Sequence, residues 1–123
     1  MKSYEELTPD EANRRYDEFH AIDVRAPHEY EGPLGHVRGA MLIPLPELGA
    51  RASELPTDRP LLIVCRSGAR SGTACERLAE LGLGEAINLA GGMIAWNRAN
   101  LPTVTTDPGS LAELVESVGR WLV

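Results

Sequence analysis

Short apolar runs alternate along the chain with segments whose apolar residues recur at helical spacing. Ala21-Ile22-Asp23-Val24, Ala40-Met41-Leu42-Ile43, Leu61-Leu62-Ile63-Val64 and Ala86-Ile87-Asn88-Leu89 read as strands. The third is unbroken and wholly apolar, the pattern of a parallel strand covered on both faces. Ahead of them, Thr8 is a helix cap, Pro9 suits the first helical position and Glu11 completes a capping box. That helix is predicted to run to about Phe19, with Leu7, Ala12 and Tyr16 along its inner face. A polar loop containing Pro27, Gly32, Pro33 and Gly35 follows the first strand, and residues 47–55 have two helical turns at most. A second helix is predicted from Ser71 to Leu81, with Ala74, Cys75, Leu78 and Leu81 on one face and Gly82 and Gly84 ending it. Gly91-Gly92 opens a short helix carrying Met93, Ile94 and Trp96.

Strands alternating with helices predict an α/β fold with a mainly parallel sheet and right-handed crossovers. In such a sheet the ligand site lies at the carboxyl ends of the strands. At 123 residues the chain fits one compact domain, expected over residues 1–104. Residues 105–123 then form a linker (TTDPGS) and an amphipathic helix in which Leu111, Leu114, Val115, Val118 and Leu122 share a stripe with Trp121 beside it. The helix is expected to pack back on the domain, with a homodimer contact as the alternative, so the chain is a monomer or a homodimer. It suits a membrane surface poorly: Arg120 is the sole basic residue from Asp107 onward, and Glu113 and Glu116 oppose it.

Charge narrows the classes of partner. Twelve Lys+Arg against eighteen Asp+Glu leave a net charge of −6, which disfavours nucleic acid and acidic membranes. No apolar run is long enough to span a bilayer, and the opening MKSYEELTPDE lacks the apolar stretch of a signal peptide. Cys65 and Cys75 make a poor disulfide framework, and no Cys/His group has zinc spacing. Two thiols in a reducing, cytoplasmic setting are expected, with no metal.

The chemistry concentrates in Leu61 to Gly72, LLIVCRSGARSG. A buried strand ends in Cys65, small and basic residues follow, and Ser71 opens a helix. This layout puts a thiol at the carboxyl edge of the sheet beside a helix N-terminus. Gly68 and Ala69 let the backbone curl so that successive N–H groups point inward as an anion-binding nest. The helix dipole and the charges of Arg66 and Arg70 add positive potential. Each effect favours thiolate over thiol, and the thiolate is the nucleophile.

CRSGARS resembles the active-site loop of the rhodanese family, Cys-Arg-x-Gly-x-Arg/Lys followed by Ser or Thr. Asp23-Val24-Arg25 through Glu29-Tyr30 and then Gly35-His36-Val37-Arg38-Gly39-Ala40 is similar to the family's upstream signature, and Gly91-Gly92 with Trp96 and Pro102 to its downstream one. The resemblance covers roughly Ser3 to Thr103 and implies a three-layer α/β/α rhodanese-like domain with a five-stranded, mainly parallel sheet. It also implies a sulfurtransferase cycle. Cys65 takes a sulfane sulfur from a small anionic donor such as thiosulfate and passes it to cyanide or a thiol, which can belong to a protein. Arg66, Ser67, Gly68, Ala69, Arg70 and Ser71 would surround the persulfide, Arg70 being the expected donor-binding side chain, with no metal or organic cofactor. Asp23, Arg25, Glu29 and His36 would be structural, with an Asp23–Arg25 or neighbouring ion-pair network holding loops. Trp96 would be core or pocket wall.

Glu31-Gly32-Pro33-Leu34-Gly35 is longer than in the most compact family members and is expected to reshape the pocket rim. Two rival functions remain. A Cys-based phosphatase or arsenate reductase is one, but phosphatases of related fold need a Cys-x5-Arg loop, whereas four residues separate Cys65 from Arg70, a ring one residue short. A persulfide relay or binding module acting on a protein partner would use the same loop and differ only in the acceptor. Cys75 is either a resolving thiol for an oxidised Cys65 or, as its apolar helix face favours, a structural cysteine.

Overall fold

The computed structural model describes residues 4–105. Apart from Thr105, the anticipated linker and C-terminal helix therefore lie outside the described residues. Twelve short elements fold into a five-stranded sheet with helices on both faces. The strands are β1 (Glu5–Leu7), β2 (His20–Asp23), β3 (Met41–Leu42), β4 (Leu61–Val64) and β5 (Ala86–Leu89), in the spatial order β1-β5-β4-β2-β3. Every pairing is parallel. Helices α1 (Pro9–Arg14), α2 (Pro27–Tyr30), α3 (Ala69–Glu80) and α4 (Gly92–Arg98) complete the layers, with 3-10 turns at 16–18, 45–47 and 52–54.

β4 is central and its four residues are buried, because alternate side chains enter different cores. Leu62 and Val64 join Ala12, Ile87, Leu89, Met93 and Trp96 on the α1/α4 side. Leu61 and Ile63 join Ala74, Cys75 and Leu78 of α3 on the other. That two-sided burial explains the continuous apolar run.

Four expectations are corrected. The first helix stops at Arg14, where the chain tightens into a 3-10 turn instead of running to Phe19. Thr8 does cap it, its Oγ1 accepting from Glu11 N at 3.3 Å. Leu7 belongs not to that helix but to edge strand β1, which pairs with β5 in the register Leu7–Leu89. Such a short strand leaves little periodic signal. The two-turn helix at 47–55 is replaced by separate 3-10 turns. Leu81, placed on the inner helix face, is 54% exposed because α3 ends at Glu80 and the chain turns away through Gly82.

Topology fixes where a ligand can bind. The chain leaves β2 toward β3 on one side, and leaves β4 toward β5 on the other. Neighbouring strands whose connections diverge open a crevice at their carboxyl ends. Here that crevice brings the β2–α2 segment against the loop that begins at Cys65. Among the described residues no helix is long and apolar enough to cross a membrane.

Candidate active site

Cys65 follows directly on β4 and is 1% exposed. Its sulfur accepts a hydrogen bond from Gly68 N at 3.0 Å and lies 3.2 Å from Ser71 Oγ. This tight return is possible because Gly68 adopts a left-handed conformation, φ 104°, that residues with a side chain rarely take. α3 starts at Ala69, two residues earlier than the apolar pattern indicates, with Gly68 as its cap. The N-terminal turn of α3 is thus the wall of the thiol pocket.

The loop's outward carbonyls are held by α4. Met93 N donates to Cys65 O at 2.8 Å and Ile94 N to Arg66 O at 3.0 Å. With those carbonyls tied back, the following N–H groups face the sulfur. Gly92 stands where a Cβ would collide with Cys65 O and with the Arg66 carbonyl group, so only glycine permits this packing.

Burial by itself would push the Cys65 thiol up, and it is the largest influence. Hydrogen bonds from the Ser71 hydroxyl and from the Ser71, Gly68 and Ser67 amides together outweigh it and hold the thiol below its ordinary value. The direction is the one the sequence pattern anticipates, and it comes first from the Ser71 hydroxyl and then from oriented backbone amides. Ser71 has one proton and two neighbours: its Oγ also bonds Asn88 Oδ1 at 2.5 Å. While Cys65 is a thiol, S–H can donate to Ser71 and Ser71 to Asn88; once sulfur is ionised, the hydroxyl proton turns to it. Asn88 Nδ2 in turn donates to Gly68 O and Glu6 Oε2, both at 3.2 Å.

Asn88 escaped the sequence reading. Its signal was a polar residue inside the apolar strand Ala86-Ile87-Asn88-Leu89, which needs buried partners.

The rest of the loop is more open. Arg66, Ser67 and Ala69 are exposed, Gly68 and Arg70 are half-buried, and Ser71 is buried. Among the described residues the Arg66 guanidinium makes no hydrogen bond or ion pair. Arg70 instead grips Glu29 with both terminal nitrogens, at 2.6 and 2.8 Å. That bond, chiefly, holds the Glu29 carboxyl down at about 2. Beside the loop opens a cleft of about 440 Å³ lined by Arg25, His28, Glu29, Pro33, Leu34 and Arg66. Pro33 and Leu34 come from the extended loop at 31–35, which does form part of the rim. A hollow of about 360 Å³ lies instead at the amino ends of β4 and β5, beside Leu61 and Glu85, remote from this chemistry.

Asp23 and Arg25 form the buried pair expected of them. Arg25 Nε and Nη2 reach Asp23 at 2.9 and 2.7 Å, and the guanidinium continues to Glu29 O and Gly35 O. One buried cation therefore ties the end of β2 to α2 and to the end of the rim loop. His36 stacks on Tyr30 with ring centroids 3.6 Å apart and donates through Nδ1 to Tyr30 O, a structural engagement. Trp96 is core, its indole N–H bonded to Pro102 O. Cys75 is buried on α3, and burial, then Glu6, Glu76 and Cys65, push its thiol up to about 12.

A family model described as "Rhodanese-like domain" matches residues 8–99. The chain belongs to the rhodanese-like domain family. Among relatives of this rhodanese-like chain, a sulfurtransferase of Allochromatium vinosum is 43% identical over 86 residues, covering 70% of this chain and 78% of that one. The thiosulfate sulfurtransferase GlpE of Vibrio cholerae is 31% identical over 83 residues, covering 68% and 76%. A crystal structure of a rhodanese-related protein from Thermoplasma volcanium superposes with a TM-score of 0.77 at 27% identity, covering 84% of this chain and all of that one. The α/β/α fold with its five-stranded sheet agrees with the sequence expectation, the sheet being wholly parallel.

Proposed function

We propose that this rhodanese-like chain is a sulfurtransferase that carries a sulfane sulfur as a persulfide on Cys65. The observation that carries this reading is the Cys65 sulfur itself, buried at the end of β4 and facing Gly68 N, Ser71 Oγ and the N-terminus of α3. In the first half-reaction the Cys65 thiolate attacks the outer sulfur of an anionic donor. The donor's S–S bond breaks, and its electron pair leaves with the remainder, as sulfite when the donor is thiosulfate. Cys65 then bears a persulfide whose terminal negative charge is met by inward N–H groups. In the second half-reaction a thiol or cyanide attacks that terminal sulfur and the Cys65 thiolate is regenerated. No metal or organic cofactor takes part in this scheme.

Arg66, Ser67, Gly68, Ala69, Arg70 and Ser71 form the binding loop. Ser67, Gly68 and Ser71 contribute donors, Ala69 the helix start, Arg66 a cation without an ionic partner among the described residues and Arg70 a cation shared with Glu29. Two unpaired thiols suit a reducing cytoplasm. A relay to a protein thiol uses the same residues, and the wide mixed cleft beside Arg66 gives it support, since it exceeds what a small inorganic donor fills. The short Cys65–Arg70 loop argues against phosphoryl chemistry.

Intact-protein mass spectrometry before and after thiosulfate tests the proposal. The expected result is a gain of one sulfur atom, removed by cyanide or dithiothreitol. A folded, reduced protein that gains no sulfur from thiosulfate or from a low-molecular-weight persulfide would overturn it.

A further inference from the structure

Glu29 was expected to be structural, yet it is the residue that occupies Arg70. Its position is over-determined. Both carboxylate oxygens are gripped by Arg70, Oε1 also accepts from Ala26 N at 3.3 Å, and its carbonyl accepts from buried Arg25 at 3.2 Å. The Glu29 side chain is only 19% exposed, and the short helix α2 holds it over the loop. Arg70 lies in the first turn of α3, next to Ser71, whose hydroxyl meets the Cys65 sulfur at 3.2 Å. A guanidinium whose two terminal nitrogens are bound to a carboxylate presents little net charge to an incoming anion. The one loop cation without an ionic partner among the described residues is Arg66, at the mouth of the cleft.

We propose that Glu29 is a specificity-determining residue that acts through Arg70. By holding Arg70 in a neutral pair it leaves Arg66 as the one loop cation without an ionic partner among the described residues, and so selects sulfane donors with at most one negative charge near the transferred sulfur over the compact thiosulfate dianion. The inference rests on Cys65 as the sulfur carrier and narrows the donor. A singly charged donor with an organic tail places its charge at Arg66 and its tail against Pro33 and Leu34. A dianion must draw Arg70 away from Glu29 and leave that carboxylate unpaired in a half-buried place.

The test compares two thiol reagents on the full chain: neutral methyl methanethiosulfonate and anionic 2-sulfonatoethyl methanethiosulfonate. In each the Cys65 thiolate attacks the sulfenyl sulfur, a mixed disulfide forms and methanesulfinate leaves. The anionic-to-neutral rate ratio reads the field at Cys65 and cancels general losses of reactivity. Glu29→Gln is expected to raise this ratio about tenfold. It should also lower the KM for thiosulfate more than it changes kcat. In an Arg70→Ala background the same substitution should gain at least about threefold less. An unchanged ratio, or equal gains in both backgrounds, would overturn the proposal, since Glu29 would then act as a bare charge or not at all. Should Gln disturb α2, Glu29→Ala gives the same comparison. The reagent ratio needs no sulfur transfer. A wild type that takes no sulfur sinks the sulfurtransferase reading and the donor preference built on it, whereas an unchanged ratio in a protein that does load sulfur sinks the role of Glu29 alone.

Discussion

Cys65 and Cys75 belong to the same apolar core, and both are buried. Their chemistry nevertheless diverges. Cys65 sits where the backbone leaves a strand and curls, so amides not consumed by secondary structure converge on its sulfur. Cys75 lies in the interior of α3, where the amides are already bonded along the helix. Burial is the largest influence on both thiols and raises both; at Cys65 alone, hydrogen bonds overcome it. Being buried therefore says little about a cysteine's reactivity. What decides it is whether unpaired donors are aimed at the sulfur.

The sharpest break in that comparison is sulfur loading. Cys65→Ser should abolish the one-sulfur mass gain while leaving thermal unfolding nearly unchanged. Cys75→Ser should load as wild type does; loss of loading there would give Cys75 the role of a resolving or relay thiol. Next in size is alkylation. With one thiol below its ordinary value and the other at about 12, labelling at neutral pH should favour Cys65 by about a thousandfold or more, as read by peptide mapping. A smaller effect isolates the donors. Ser71→Ala removes one hydrogen bond to sulfur and should move the pH midpoint of Cys65 alkylation upward by about one unit, slowing labelling about tenfold at pH 7. A midpoint that stays in place would leave the amides as the whole cause.

The smallest effect concerns the rim pair. The folded-state value of Glu29 is depressed to about 2, so the pair's contribution is complete above its ordinary value of 4.5 and is lost as pH falls toward 2. Because the Arg70 side chain is 39% exposed, screening reduces that contribution to about 1 kcal/mol. Acid unfolding of Glu29→Gln should be flatter than that of wild type across this window.

The strands β4 and β5 were legible residue for residue, because β4 is an unbroken apolar run and β5 a mostly apolar one interrupted only by Asn88. β1 and α2 were not. One is three residues long and the other four, too short for a period to declare itself. At the site, Cys65 and its loop were readable from their order along the chain. The early start of α3 was hidden because Ala69 and Arg70 carry no apolar signal, and only the conformation of Gly68 marks the boundary.

Sequence by itself determined the cysteine proposed as nucleophile, the strand that presents it, the short spacing to Arg70 and the glycines that let the loop close. These are local properties, written in residue type and neighbour order. The tertiary structure alone decided which groups meet across the sheet. Glu29 reaches Arg70 from 41 positions away and Asn88 reaches Ser71 from 17, because β2, β4 and β5 lie side by side. Charge and hydrogen-bond partnership fall off within a few ångströms, so they depend on that proximity in space and not on order along the chain.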